Sequence, residues 1–249
     1  ENSTSPTAGI LRELSRGKIS SFGRMLVPRK YQSKSAEKYE YRSYHQRSAD
    51  VNACDLFDPD QHRMLCEIDL KGVGHIDEDS GKLRGANFSD MRSDFMGLML
   101  RSNAIHDATI SDIFASAGIR CHRTLGIVEL REIKYPDKEG KWKSVHISEL
   151  RAHPERFPDL LRSGEAREIL AGDMPVIQIR AWSKKTRMEQ LNDSHNTKRD
   201  VKRLVHSAMA DVGREFPQVK DVPTYLSWFA ETLGKNVGIM HELGFAHGF

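Results

Sequence analysis

Cysteine is scarce in this chain. Cys54, Cys66 and Cys121 are the only three in 249 residues, an odd number at wide spacing. That excludes a disulfide framework and a C-x-x-C zinc site, and it points to a reducing compartment, cytoplasmic or organellar and not secreted. The sequons at Asn87 and Asn192 carry little weight in such a compartment. No apolar run approaches the roughly 18 residues that cross a bilayer, so no membrane partner is expected. The first residues show no n-region or h-region of a secretory signal. They begin with Glu1 and not Met, as expected of a processed or partial chain. Three glycine- or serine-centred signatures are missing as well: the G-x-x-x-x-G-K-[ST] loop, the Rossmann fingerprint and the G-x-S-x-G elbow. Neither sign of charge dominates, with 38 Lys and Arg against 35 Asp and Glu, and 38% of residues are hydrophobic. These values describe a folded globular chain of one large domain or two small ones, not a disordered or fibrous one.

Charge is nonetheless uneven. Residues 1–50 hold ten Lys and Arg, from Arg12 to Arg47, against five acids, so the remaining 199 residues carry a net −2. A basic arm can draw nucleic acid or anionic surfaces. The aromatic–basic interleaving of a nucleic-acid module does not accompany it, so a solvated extension is expected and nucleic acid is ranked last among partners.

Periodicity supplies the elements. Cys66, Ile68 and Leu70 alternate with Glu67, Asp69 and Lys71, the pattern of a half-buried strand. Residues 103–117 read as a helix with Ile105, Ala108, Ile113 and Ala117 towards one side and Gly118 as its stop. A strand is predicted through Leu125–Ile133, a turn at Asp137–Gly140 and a second strand near Trp142–Ile147. A short helix follows around Ala166–Ala171. Pro175–Trp182 reads as a strand with Ile177, Ile179 and Ala181 on one face and Arg180 on the other. Two long helices close the chain: Val201, Leu204, Val205, Ala208 and Val212 mark one, and Leu226, Phe229, Leu233, Val237 and Met240 the other, with Pro223 near its start. Strands with one intervening helix, then helices, make an α+β layer joined to a helical part.

Three units could carry chemistry. Lys71 ends a strand beside Gly72 and Gly74, which can bring an ammonium and the backbone close to phosphate oxygens, with a nearby acid to partner the lysine. Arg180 and Arg187 offer guanidinium forks suited to phosphate, the plainer alternative being two surface ion pairs. His241-Glu242 with His247 fails as H-E-x-x-H, because position 245 is Phe and the histidines are six apart, so no metal site is expected there.

In their order along the chain these segments resemble the selenoprotein O family, kinase-like proteins that act as protein adenylyltransferases. Leu70-Lys71-Gly72-Val73-Gly74 is similar to the family's L-K-G-A-G. Ile105 to Leu125 resembles its I-R-E-F-L-A-S-E-A-M-x-A-L-G-I-P-T-T-R-A-L. Ile179-Arg180 followed by Arg187 reproduces a paired-arginine element at the same seven-residue interval, and Tyr225-Leu226 through Gly244-Phe245-Ala246-His247-Gly248 resembles Y-L…G-F-x-H-G. The matched segments cover roughly residues 65–249.

The resemblance implies a protein-kinase-like N-lobe, an antiparallel sheet plus a helix, over 41–190. It also implies a basic extension over 1–40 and the first helices of a helical C-lobe over 191–249. It implies ATP and Mg²⁺ as cofactors and protein substrates as partners. AMP would pass to Ser, Thr or Tyr hydroxyls. Lys71 would contact phosphates and pair with Asp107, where the family has a glutamate, with Asp112 as the fallback. Asp79 and Gly81 sit near its D-G nucleotide contact, and Arg180 and Arg187 would hold phosphates of an inverted ATP. The glycine-rich G-D-G-R element is not recognisable in residues 44–57. The sequence given ends at His247-Gly248-Phe249. The family's catalytic acid, asparagine and metal-binding aspartate are expected downstream of Phe249, so the chain is expected to stop at the catalytic loop, and transfer is expected only of a chain that continues beyond Phe249. The alternative is a non-catalytic kinase-like remnant that binds a nucleotide or a partner.

Overall fold

A computed structural model describes residues 48–51, 56–58, 61–65, 67–72, 98–136, 142–183 and 197–246. The elements are β1 (Ser48–Val51), β2 (Leu56–Asp58), β3 (Arg63–Leu65), β4 (Glu67–Lys71), β5 (Met99–Leu100), α1 (Arg101–Ser116), β6 (Arg123–Glu129), β7 (Glu132–Pro136) and β8 (Trp142–His146). After them come α2 (Ile147–Ala152), α3 (Gly164–Leu170), β9 (Pro175–Trp182), α4 (Lys198–Glu215) and α5 (Val222–Glu242). The chain is α+β. Two compact units divide it: residues within 1–54, 67–108 and 124–181 form the first, and residues within 55–66, 109–123 and 182–249 the second. Among the described residues no helix is long and apolar enough to cross a membrane.

The first unit is built on a five-stranded sheet in the order β1-β4-β9-β5, with β6 also paired to β9. β1 and β4 run antiparallel, Ser48 opposite Lys71 and Val51 opposite Ile68. β5 and β9 are antiparallel too, Met99 opposite Val176. β7 and β8 form a separate antiparallel pair from Glu132↔His146 to Pro136↔Trp142. Its inner residues Ile133, Tyr135 and Val145 pack with Leu150, Phe157, Leu160 and Ile169 into one apolar cluster. The single strand expected over Leu125–Ile133 is therefore two. Leu130 breaks it by turning its N–H to the Pro175 carbonyl at 2.8 Å and burying its side chain.

Burial departs from the simple alternations. β4 and β9 are covered on both faces: Asp69 is as buried as Ile68 and Leu70, and Gln178 and Arg180 are buried along with Ile177 and Ile179. A strand buried on both sides has no solvent face, so period-2 reading places its polar residues wrongly. On α1, the buried positions are Ala104, Ser111 and Ala115, whereas Ile105 and Ile113 are exposed. The side chosen from Ile105 and Ile113 is thus not the packed one; the helix is seated through small residues.

In the second unit β2 and β3 pair as a hairpin, Asp58 opposite Arg63. α4 and α5 are the two long helices expected. α5 begins in a reciprocal cap, with Asp221 accepting from the Thr224 N–H at 2.9 Å, and Pro223 lies in its first turn. Such a cap fills helix-start donors that no backbone carbonyl can reach.

Two glycines hold backbone positions that other residues would strain. α1 ends in a Schellman motif: Gly118 has φ +83°, its N–H reaches the Ala115 carbonyl at 3.0 Å, and the Ile119 N–H reaches that of Phe114 at 2.9 Å. Gly72, directly after β4, has φ +97°, and a Cβ there would collide with the Val176 carbonyl oxygen and lie 2.6 Å from the Met99 Cβ. The close approach that Gly72 permits is thus made by the neighbouring strands. Gly72→Ala should lower stability by about 2–4 kcal/mol, since both a strained φ and a backbone clash must be relieved. Gly118→Ala, with open space around it, should cost only about 1 kcal/mol. Urea unfolding of the two variants checks the order; equal losses would contradict it.

Candidate functional site

The side chains brought together in the first unit lie on β4, α1 and β9. Lys71 is the last residue of β4, and its Nζ stands 3.9 Å from Asp107 Oδ2 on α1. Arg180 of β9 approaches the same oxygen, with Nη1 at 3.8 Å. Its Nε and Nη2 grip Asp69 of β4 in a fork, at 2.9 Å to Oδ1 and 2.5 Å to Oδ2. The result is a chain of alternating charge, Asp69–Arg180–Asp107–Lys71, running from the sheet interior outwards.

Exposure grades along that chain. The Asp69 side chain is 0% and the Arg180 side chain 7% exposed, against 28% for Asp107 and 27% for Lys71. A buried guanidinium needs a buried counter-ion, and a two-point carboxylate contact is the geometry that repays its loss of water. Asp69 and Arg180 are therefore an internal brace. Lys71 and Asp107 form the accessible end, where an anionic ligand could reach the ammonium. The surface ion pairs weighed for Arg180 are not what it makes. Two carboxylates, Asp69 and Asp107, stand against its two described cations.

α1 is what brings Asp107 to this place. Its first turn carries no acid of its own. Asp173, from the turn before β9, supplies one across space: it accepts from the Ser102 N–H at 3.3 Å and from the Ser102 hydroxyl at 2.5 Å. Met174 adds its carbonyl to the Arg101 N–H at 2.8 Å. A carboxylate here satisfies helix-start donors and faces the positive end of the helix dipole. Slight burial pushes the Asp173 carboxyl upward. The hydrogen bonds from Ser102 and Met174, with the Arg101 charge, outweigh that and hold it below its ordinary 3.8.

The other expected positions divide as follows. Gly72 sits beside Lys71 at the strand end. Gly74, Asp79, Gly81 and Arg187 lie outside the described residues. So do His247 and Phe249, the residue after which the catalytic acid, asparagine and metal-binding aspartate are expected. Asp112, the fallback for Lys71, instead lies 3.5 Å from Arg123 in the second unit with its side chain 65% exposed. Asp69 is the member that sequence reading missed. Its signal was an acid inside an apolar strand, matched by an arginine inside a second one. Each alone reads as a solvent-facing residue, and only their pairing explains both. Among the described residues no group of three or more His, Cys, Asp or Glu could hold a metal ion. They offer no such cluster for Mg²⁺.

Compared with family models, with curated proteins and with solved structures, the chain finds no match.

Two outcomes follow from this geometry. Arg180→Met should destabilise the protein by about 3–5 kcal/mol by stranding Asp69 without its cation. Lys71→Met, at the half-exposed end, should change stability by less than about 1 kcal/mol. Denaturant titration of both checks the contrast. Because the Asp173 carboxyl is held low in the folded state, its contribution is full above about pH 4 and fades as pH falls through the lower folded value. Asp173→Asn should therefore be less stable than the parent near neutrality and should lose less on acidification; parallel pH curves would contradict the capping role.

Proposed function

We propose that the first unit is a nucleotide-binding, protein-kinase-like lobe, and that the chain acts on ATP in the manner of the selenoprotein O family it resembles. The observation that carries the reading is the Lys71–Asp107 pair. A lysine at a strand end, held by an acid on the helix that follows it in sequence, is the arrangement protein kinases use to present an ammonium to nucleotide phosphates. The resemblance implied that pairing from Asp107's place in the Ile105–Leu125 segment, and the two groups stand 3.9 Å apart. Support also comes from the antiparallel pairings of β1 with β4 and of β5 with β9, and from the helix between β4 and β6.

In this reading Asp107 keeps the Lys71 ammonium charged and extended, and Arg180, braced by Asp69, adds positive potential from beneath. Phosphate oxygens would meet Lys71, with Gly72 beside it. Gly74, Asp79, Gly81 and Arg187 retain the nucleotide-contacting roles that the resemblance gives them. AMP transfer would join a protein hydroxyl oxygen to the α-phosphorus and break its bond to pyrophosphate, with the hydroxyl proton passing to a base. None of the described residues is assigned as that base. Preorganised positive charge is the main demand of such a step, and Lys71, at the accessible end of the array, is the described residue that would meet it.

A second reading is a kinase-like remnant that binds nucleotide without transfer. It is favoured by the charge balance of the Asp69–Arg180–Asp107–Lys71 group, which lets the cluster stand without a ligand.

Calorimetric titration with a non-hydrolysable ATP analogue tests the shared premise. The protein should bind, and Lys71→Ala should weaken binding by about tenfold, the loss of one charge-assisted contact. Arg187→Ala should weaken it as well. No binding, or affinity unchanged in both variants, overturns the site. Incubation with ATP and candidate proteins, read by a mass increase of one AMP, then separates transferase from remnant.

A further inference from the structure

The second unit contains a hollow of about 280 Å³ that the nucleotide reading does not use. Its walls are aromatic: Trp182, Tyr225, Trp228 and Phe229 line it, with Ala208 and Val212 completing the apolar side. Tyr225 and Trp228 stack with ring centres 6.0 Å apart. Two guanidinium groups, Arg63 and Arg120, enter the same lining.

Those two arginines differ in how well they are satisfied. Arg120 is paired with Glu215 at 2.5 Å and lies over the Phe216 and Trp228 rings, 5.6 and 6.0 Å from their centres. Arg63 is only 5% exposed, yet among the described residues it makes just two side-chain hydrogen bonds. Nη1 donates to the Ser183 hydroxyl at 3.1 Å, and Nη2 donates to the Cys121 carbonyl. Its Nε has no hydrogen-bond partner among the described residues and stands 3.9 Å from Asp58. An arginine carries five N–H donors, so this buried fork is under-bonded, a costly state for a charge out of water. Burial foremost, and then the nearby charge of Arg120, pull the Arg63 pKa down. The neighbouring acids, of which Asp58 and Glu215 push it back up, are each shared with another arginine. Asp58 is shared with Arg123 at 3.8 Å, Glu215 is taken by Arg120, and Asp211 lies 3.9 Å from Arg214.

We propose that this hollow is a binding site for a small planar carboxylate, its ring held among the Trp182, Tyr225 and Trp228 faces and its carboxylate meeting Arg63. A ring matches walls that offer flat, polarisable surface. A single negative charge matches a single under-bonded guanidinium, whereas a phosphate dianion would bring twice the charge against Asp211, which also lines the hollow. The volume suits a fused bicyclic acid and is small for a nucleotide.

Calorimetry on the whole chain with 2-naphthoate and its uncharged amide, 2-naphthamide, tests the proposal. The acid should bind with a sub-millimolar Kd, and the amide about tenfold more weakly. Arg63→Met should abolish that difference. Ala208→Phe, which fills the hollow from α4 and leaves Arg63 in place, should remove binding of both. Absence of acid binding up to about 2 mM, well above the expected Kd, overturns the site. So does equal affinity for acid and amide, or binding that survives Ala208→Phe. Should Arg63→Met fail to fold, the acid-to-amide ratio and the filled-hollow variant still decide.

Discussion

The first unit depends on a carboxylate and a guanidinium removed from water together. Asp69 and Arg180 sit on adjacent strands, β4 and β9, and neither could be buried alone. Their fork-to-fork contact fixes how those two strands lie against each other, because a shift in register would separate the charges where no solvent could take them up. Replacing such a pair with hydrocarbon often costs nothing in stability, so its presence says more about placement than about strength. What it places is the third N–H face of Arg180 and, through it, the Asp107 carboxylate.

The accessible end of this array is therefore built from the inside out. Lys71 owes its position to being the last residue of β4, a strand whose centre is pinned by Asp69. Asp107 owes its position to a helix whose first turn is held by Asp173 and Met174. Gly72 lets the chain leave β4 within contact distance of β5 and β9, where a side chain would not fit. Each of these is a backbone contact or a polar side-chain contact away from the lysine itself.

Much of the element order could be read from sequence. The helix read over 103–117 with its glycine stop, the short helix read around Ala166–Ala171, the strand at Pro175–Trp182 and the two long closing helices follow from spacing and capping residues. For the first two, each end lies within two residues of the observed helices, Arg101–Ser116 and Gly164–Leu170. The pairing of Lys71 with Asp107 was legible only through resemblance, since nothing local links residues 36 positions apart. What escaped has a common cause. Period-2 and period-3.6 rules assume one wet face, and they fail where both faces are covered, as at Asp69 and Arg180. They fail again where a helix packs through Ala104, Ser111 and Ala115 while its larger Ile105 and Ile113 face water. The aromatic hollow escaped for a different reason: Arg63, Trp182 and Trp228 come from three distant segments, and no spacing announces them.

The anchoring of α1 has one more consequence. Asp107 lies less than two turns from Ser102, too short a lever for the helix to bend. Swinging the start of α1 away from β4 would mean releasing Arg101 from Met174 and Ser102 from Asp173 in one motion. A rocking motion of this helix is thereby disfavoured, so the backbone that carries Asp107 is held in place beside Lys71 even though its side chain is part-exposed.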